Sequence, residues 1–136
     1  MKKFKLACIS TLLLVGVAHA NTPCNDFEVK VNNELAEDLN LSGATITGAQ
    51  INPNSSQILT SKQVQVFRIN GSSADVPMSG ELIYNTLTIP NKTIIIRFSL
   101  NNENLHCHHR DTSPVNEYTV SHHRFPGSID YSIVNK

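Results

Sequence analysis

The amino-acid sequence predicts an all-β protein, an antiparallel β-sandwich of about 7–9 short strands. Short runs of β-branched and aromatic residues recur along the chain, and Pro, Gly and Asn residues separate them. Several of these runs alternate apolar and polar side chains, as strands with one buried face do. The predicted strands are residues 27–31, 44–46, 57–60, 63–70, 81–89, 93–98, 105–109, 117–124 and 128–134.

The first half of the chain supplies the shorter strands. Residues 27–31 alternate apolar and charged side chains, and residues 44–46 and 57–60 flank an Asn-Pro-Asn break. In residues 63–70 the apolar side chains change sides after Val66. This change predicts either a bulge near Val66 or a strand that is buried on both faces.

The second half carries the strongest strand signal. Residues 93–98 are the most β-prone run of the sequence and are expected to form a central strand, with Arg97 on an edge or paired with an acid. Residues 117–124 and 128–134 flank a Pro-Gly turn and predict a hairpin. Helical spacing is confined to residues 34–40, where one turn of helix is expected.

Residues 1–20 have the pattern of a secretory signal peptide, so residues 21–136 are expected to form the mature domain. Three lysines precede an apolar stretch of about twelve residues, and Ala18 and Ala20 are the small residues of a cleavage site. The apolar stretch is shorter than the roughly 20 residues that a membrane-spanning helix needs. A short, lysine-rich leader is typical of bacteria, so we expect the mature protein in the periplasm or outside the cell.

The size and charge of the mature chain exclude several classes of protein. The chain is long enough for one domain with its own core, but too short for a kinase or a dinucleotide-fold dehydrogenase. Without the three leader lysines, 8 basic residues remain against 11 acidic ones, a net charge of −3. Nucleic-acid binders need a basic face that displaces counterions, so no nucleic-acid partner is expected. No segment after the leader is long enough to span a membrane.

Two cysteines follow the leader, Cys24 and Cys107. An even number of cysteines in an exported protein predicts a disulfide. In the chain-entropy description, a loop of about 84 residues closed in this way stabilises the fold by roughly 4.5 kcal/mol. The alternative is that Cys107 binds a metal ion together with neighbouring histidines.

The middle of the chain has a characteristic order of sequence features. A strand that ends in Asn32 precedes a Leu-rich segment, and Gly48, Ile51 and Pro53 follow; residues 78–84 then read Met-Ser-Gly-Glu-Leu-Ile-Tyr. In this order, and in its Gly-acid-x-x-Tyr stretch, about half of the chain resembles the aegerolysin family of small β-sandwich proteins, some of which bind membrane lipids. The resemblance implies a β-sandwich and association with lipid.

The chain also departs from the aegerolysin pattern. It has no Trp and three Tyr, whereas that family is rich in both. Aromatic side chains suit the membrane interface, so the two patterns differ at the residues most suited to lipid contact. The cysteine pair and the histidine-rich C-terminal third are not part of the family pattern either.

Histidines are concentrated in one part of the chain. Five of the six lie between residues 106 and 123. Side chains alternate along a strand, so His106 and His108 are expected to point to solvent, as is His123 on the later strand. If these two strands are neighbours, the three imidazoles converge and present nitrogens to Zn²⁺ or Cu²⁺. Asp111 or Glu117 would then be an additional ligand or would orient one.

Two other interpretations of the histidines stay open. Exposed histidines on a strand are often merely solvated. Five neighbouring imidazoles would also gain charge together between about pH 7 and pH 5, which predicts a response to acid.

No catalytic motif stands out, and the cysteines are better used in a disulfide than as nucleophiles. We therefore predict an exported binding protein without enzymatic activity that associates with membrane lipid or with the surface of a partner protein. The alternative is a periplasmic metal-binding protein that holds Zn or Cu through His106, His108 and His123. An unrecognised hydrolase, which would lack the Gly-x-Ser-x-Gly elbow, is the third class.

Overall fold

The computed structural model describes residues 22–71 and 76–136, which contain ten strands and no helix. The predicted signal peptide, residues 1–20, lies outside the described residues. The all-β prediction is confirmed, with one strand more than the upper end of the expected number. The strands are β1 (Phe27–Asn33), β2 (Leu39–Thr47), β3 (Ala49–Asn52), β4 (Gln57–Leu59), β5 (Val64–Gly71), β6 (Met78–Thr86), β7 (Thr93–Glu103), β8 (His106–Asp111), β9 (Thr119–Phe125) and β10 (Ser128–Val134).

Two five-stranded sheets pack against each other in a sandwich. Sheet A has the strand order β3-β5-β1-β10-β9, and sheet B has the order β4-β2-β6-β7-β8. The strand pairs are antiparallel except that of β1 with β10, which is parallel. The predicted hairpin between the last two strands is confirmed, because β9 and β10 pair antiparallel from Thr119–Val134 to Phe125–Ser128. One edge strand of each sheet, β8 and β9, carries the histidines.

The core forms from the alternating inward side chains of both sheets. Along β1 and β10 every second residue is buried, as the alternation of apolar residues predicts. Burial of these side chains is the main stabilising contribution, about 25 cal/mol for each Å² of apolar surface removed from water. The largest fully buried side chains are Tyr84, Tyr131, Phe27, Phe67, Phe98, Leu35, Leu39 and Leu41.

Neither alternative predicted for residues 63–70, a bulge near Val66 or a strand buried on both faces, is correct. β5 pairs with β1 without a break in register, and Val64 and Val66 point outward, where about half of each side chain is exposed. The inward position before Phe67 is taken by Gln65 instead. Its Oε1 atom accepts a hydrogen bond of 2.6 Å from the buried Tyr84 hydroxyl, which satisfies both polar groups.

The helical turn predicted at residues 34–40 is also wrong. The amide of Asn33 bends the chain there: its Oδ1 atom accepts a hydrogen bond from the Leu35 N–H at 3.0 Å, and its Nδ2 atom donates to the Glu37 carbonyl at 2.8 Å. These side-chain bonds replace the i to i+4 bonds of a helix. Leu39 then begins β2 directly.

Two strands of sheet B differ in extent from the prediction. The strand predicted at residues 81–89 runs instead over Met78–Thr86, and residues 87–92 form a loop. The strand predicted at residues 93–98 is longer, and it lies inside the sheet between β6 and β8. Arg97 pairs with an acid, as expected, at 2.6 Å from Glu81 on β6.

The predicted disulfide is present. The sulfur atoms of Cys24 and Cys107 are 2.09 Å apart, and the bond joins the segment before β1 to β8. It therefore links sheet A to sheet B near one end of the sandwich. Because both sulfurs are used in this bond, Cys107 is not a metal ligand in this structure.

Candidate functional site

The outer histidines do not converge. The predicted metal site assumed that the two histidine-bearing strands pair, but β8 pairs with β7 and β9 pairs with β10. His106 and His108 point outward from sheet B, whereas His123 points outward from sheet A, so they face opposite outer surfaces of the sandwich. Within residues 22–71 and 76–136, no group of three or more His, Cys, Asp or Glu side chains is arranged to hold a metal ion.

The two inner histidines do meet. His109 on β8 and His122 on β9 point toward each other from the edges of opposite sheets, and their ring centroids are 5.7 Å apart. Tyr131 on β10 completes the contact, with its ring centroid 5.8 Å from that of His109. Alternation along each strand puts His109 and His122 on the face opposite to the outer histidines, and this signal is present in the sequence. The sequence alone does not show which edge strands face each other across the sandwich.

A chain of hydrogen bonds links these side chains. The Nε2 atom of His109 is 2.8 Å from the Tyr131 hydroxyl oxygen, and that hydroxyl lies 3.3 Å from Oδ1 of Asp111. The hydroxyl has one proton and the ionised carboxylate only accepts. The arrangement that gives each contact a proton therefore has His109 donating from Nε2 to Tyr131, and Tyr131 donating to Asp111.

Burial sets the protonation of this cluster at neutral pH. Burial first, and then the charges of His122 and Arg124, lower the pKa of His109 from 6.5 to about 4, although Asp111 opposes them. Burial, followed by the charge of Asp111, raises the pKa of the Tyr131 hydroxyl above its ordinary value of 10.0. His109 is thus neutral and Tyr131 is protonated at pH 7. The more exposed His122 has its Nδ1 atom 3.8 Å from the Asp111 carboxylate.

Arg124, an exposed residue of β9, bonds across to β8 beside the disulfide. Its Nη2 atom donates to the Cys107 carbonyl at 2.5 Å, and Nη1 donates to the carbonyls of Ser128, at 2.7 Å, and Phe125. The guanidinium carbon also lies 4.7 Å from the centroid of the Phe27 ring, in a cation–π contact. These contacts tie the guanidinium of Arg124 to both sheets.

Two loops, residues 87–92 and 112–118, meet at one end of the sandwich, which we call the loop end, and carry three exposed apolar side chains. Ile89 is 95% exposed, Val115 is 94% exposed and Leu87 is 55% exposed. A fourth side chain, Leu105, is 88% exposed but lies in the β7–β8 turn at the opposite end. The loop end has no local sequence signature, because it consists of two loops that are far apart in the sequence.

The two loops of the loop end are fixed to the same strand. Asn116 accepts a hydrogen bond from the Ile95 N–H at 2.9 Å and donates to the Ile95 carbonyl at 3.0 Å, so that it extends sheet B beyond the end of β8. Lys92 and Glu117 form an ion pair of 3.7 Å between the loops. The exposed apolar side chains are therefore held on an ordered base.

No protein-family model matches the chain, and no curated protein matches it either. The resemblance to aegerolysins therefore remains a prediction from the residues quoted above. In the part of the chain that the structure describes, no helix is long and apolar enough to cross a membrane.

Proposed function

We propose that this is an exported binding protein, without enzymatic activity, that associates with a membrane surface through the loop end. The supporting observation is that Leu87, Ile89 and Val115 are exposed on two loops that the Lys92–Glu117 ion pair joins. Exposed apolar side chains that are grouped, rather than scattered singly, mark an interaction site.

The energetics favour contact with an apolar phase. Complete burial of a Val, Leu or Ile side chain contributes about 1.5–3 kcal/mol, so three such side chains give a usable affinity even when each is only partly buried. Lys92 lies at the same end, with its ammonium group 5.3 Å from the centroid of the Tyr118 ring. Long basic side chains of this kind cover apolar surface while their charge stays in water, as at a membrane boundary.

Vesicle pelleting tests the proposal. Protein expressed from the full chain is mixed with sucrose-loaded vesicles of phosphatidylcholine and phosphatidylglycerol, 3:1, and the pelleted fraction is measured. We expect saturable pelleting, and a loss of about tenfold in affinity for Ile89→Asp and for Val115→Asp, which corresponds to about 1.4 kcal/mol. Leu105→Asp is the matched control, since it changes an equally exposed apolar side chain at the opposite end, and it should pellet like the unaltered protein.

The same assay distinguishes direct association with lipid from the metal-binding alternative. Pelleting that is unaffected by EDTA and by added Zn²⁺ supports direct association with lipid. Pelleting only with Zn²⁺, lost in the double variant His106→Ala/His108→Ala, would move the function to the outer histidines. Equal pelleting by all three Asp variants would overturn the role of the loop end.

A further inference from the structure

A cleft opens where the chain passes from sheet B to sheet A. The passage between β2 and β3 is made at Gly48, whose φ is +75° and where a Cβ atom would lie 2.5 Å from the Pro77 carbonyl oxygen. β4 pairs with β2 only over residues 39–41. Residues 43–47 of β2 therefore pair with β6 on one side and, among the described residues, with no strand on the other. The cleft between β2 and β3, which we call the crossing cleft, has a volume of about 570 Å³.

Amide side chains dominate the polar lining of the crossing cleft. They come from β3, from the segment that follows it and from β5: Gln50, Asn52, Asn54 and Asn70. Ile46 and Ala49, which are only partly buried, contribute apolar surface, and no charged residue is among the described residues that line the cleft. The volume lies within the range of small-molecule sites, about 300–1,000 Å³.

Within the described residues, these amide side chains form no hydrogen bonds that hold the fold together. The described hydrogen bonds of Asn33, Gln65 and Asn116 tie their side chains to the backbone or to other side chains. The four cleft amides make no such bond within the described residues. Gln50, Asn52, Asn54 and Asn70 are instead exposed, and each presents an acceptor oxygen and a donor NH₂ to the cleft or its rim.

We propose that the crossing cleft binds a neutral saccharide. A hydroxyl group both donates and accepts, which matches the paired donor and acceptor of each amide. The described residues of the lining offer a charged ligand no compensating charge, so its desolvation would oppose binding. The C–H faces of a sugar ring match the apolar surface of Ile46 and Ala49. Residues 43–47 of β2 have no second strand partner among the described residues, and their backbone groups are available in addition.

The test uses protein expressed from the full chain, labelled with ¹⁵N, and four neutral trisaccharides: maltotriose, cellotriose, mannotriose and triacetylchitotriose. We expect saturable shifts of the side-chain NH₂ signals of Gln50, Asn52 and Asn70 with at least one of them. Absence of saturable shifts in the crossing cleft with all four would overturn the proposal. A response to a capped Gly-Ser hexapeptide that exceeds every saccharide response would overturn it as well.

Variants separate a site from general surface effects. Asn52→Leu and Asn70→Leu should each weaken the trisaccharide at least tenfold, whereas Asn135→Leu, an exposed amide outside the cleft, should leave its affinity unchanged. Gln50→Leu is a further exposed substitution that keeps the test valid if one of the others fails to fold. Equal affinity of all the variants would overturn the assignment to these amides.

Discussion

The ring of His109 and the hydroxyl of Tyr131 join the two sheets at the edge of the sandwich, with 2.8 Å between Nε2 and the phenolic oxygen. His109 lies on the edge strand of sheet B, and Tyr131 lies on an inner strand of sheet A. The bond therefore acts across the interface between the sheets and not along one of them. Because burial lowers the pKa of His109, this contact is sensitive to pH.

The stability of the fold should fall as the solution is acidified from pH 7 to pH 4. The pKa of His109 is lowered from 6.5 to about 4 in the folded protein. Between these values the unfolded chain binds the proton and the folded one does not, so the free energy of unfolding decreases as the pH falls and levels off below about pH 4. The contribution is about 1–2 kcal/mol, less than the whole shift implies because the ring is partly open to solvent.

Urea denaturation at several pH values measures this effect. The substitution His109→Phe removes the titrating group and should reduce the pH dependence of the free energy of unfolding between pH 7 and pH 4. His106→Phe is the control, because that side chain is exposed on the outer face, and its pH dependence should match that of the unaltered protein. An undiminished slope in His109→Phe would contradict the assignment.

Removal of the Tyr131 hydroxyl should destabilise the protein by about 1–3 kcal/mol. Tyr131→Phe keeps the ring in the core but deprives His109 and Asp111 of their shared partner. A double-mutant cycle with His109→Phe should give a coupling energy of about 0.5–1.5 kcal/mol, because the two residues are in contact. Strict additivity in urea denaturation would show that the hydrogen bond contributes nothing to stability.

Local alternation along the strands is enough to place His109 and His122 on the inner face of the sandwich. It is not enough to predict their contact, because the facing of β8 and β9 depends on the order of strands in two sheets. The predicted convergence of His106, His108 and His123 failed for the same reason. Strand pairing is set by packing of the whole core and is not encoded in either segment alone.

The errors at Gln65 and Asn33 share another cause. Both are buried polar residues, and a pattern of apolar residues treats such positions as exposed. In the structure their amides are satisfied by Tyr84 and by backbone groups, so burial is compatible with their polarity. The disulfide, in contrast, could be predicted because only two cysteines follow the leader.

Reduction of the disulfide should lower the free energy of unfolding by about 3–5 kcal/mol. The bond between Cys24 and Cys107 spans 83 residues, and opening it restores the entropy of a long loop to the unfolded chain. Urea denaturation with and without a reductant measures the difference. The double variant Cys24→Ala/Cys107→Ala serves as the control, since its stability should not respond to the reductant.

Glycine at position 80 should be intolerant of even a methyl group. A Cβ atom there would overlap the ring of Phe98, which is buried on the paired strand β7. Gly80→Ala should therefore destabilise the fold by about 1–3 kcal/mol through overpacking. Gly43→Ala is a matched control, because its Cβ atom would lie 3.7 Å from Ile83 Cδ1, an ordinary contact. Similar melting temperatures for both variants would contradict the overlap.

The amide of Asn33 should be one of the most stabilising polar groups in the protein. It is buried, and its Nδ2 atom donates to the carbonyls of Leu59, at 3.1 Å, and Glu37, at 2.8 Å, while its Oδ1 atom accepts from the Leu35 N–H. Asn33→Asp has almost the same shape and keeps the acceptor, but it loses both donors and turns a carboxylate oxygen toward two carbonyls. We expect a loss of at least about 2–3 kcal/mol in urea denaturation at pH 7, because buried acceptors are left without partners.

Two controls accompany the Asn33→Asp variant. Its loss of stability should shrink at low pH, where a protonated carboxyl regains one donor. Asn32→Asp, which changes a single bond to the Tyr131 carbonyl, should have a smaller effect. A loss for Asn33→Asp no larger than that for Asn32→Asp would show that the bend after β1 does not depend on this amide.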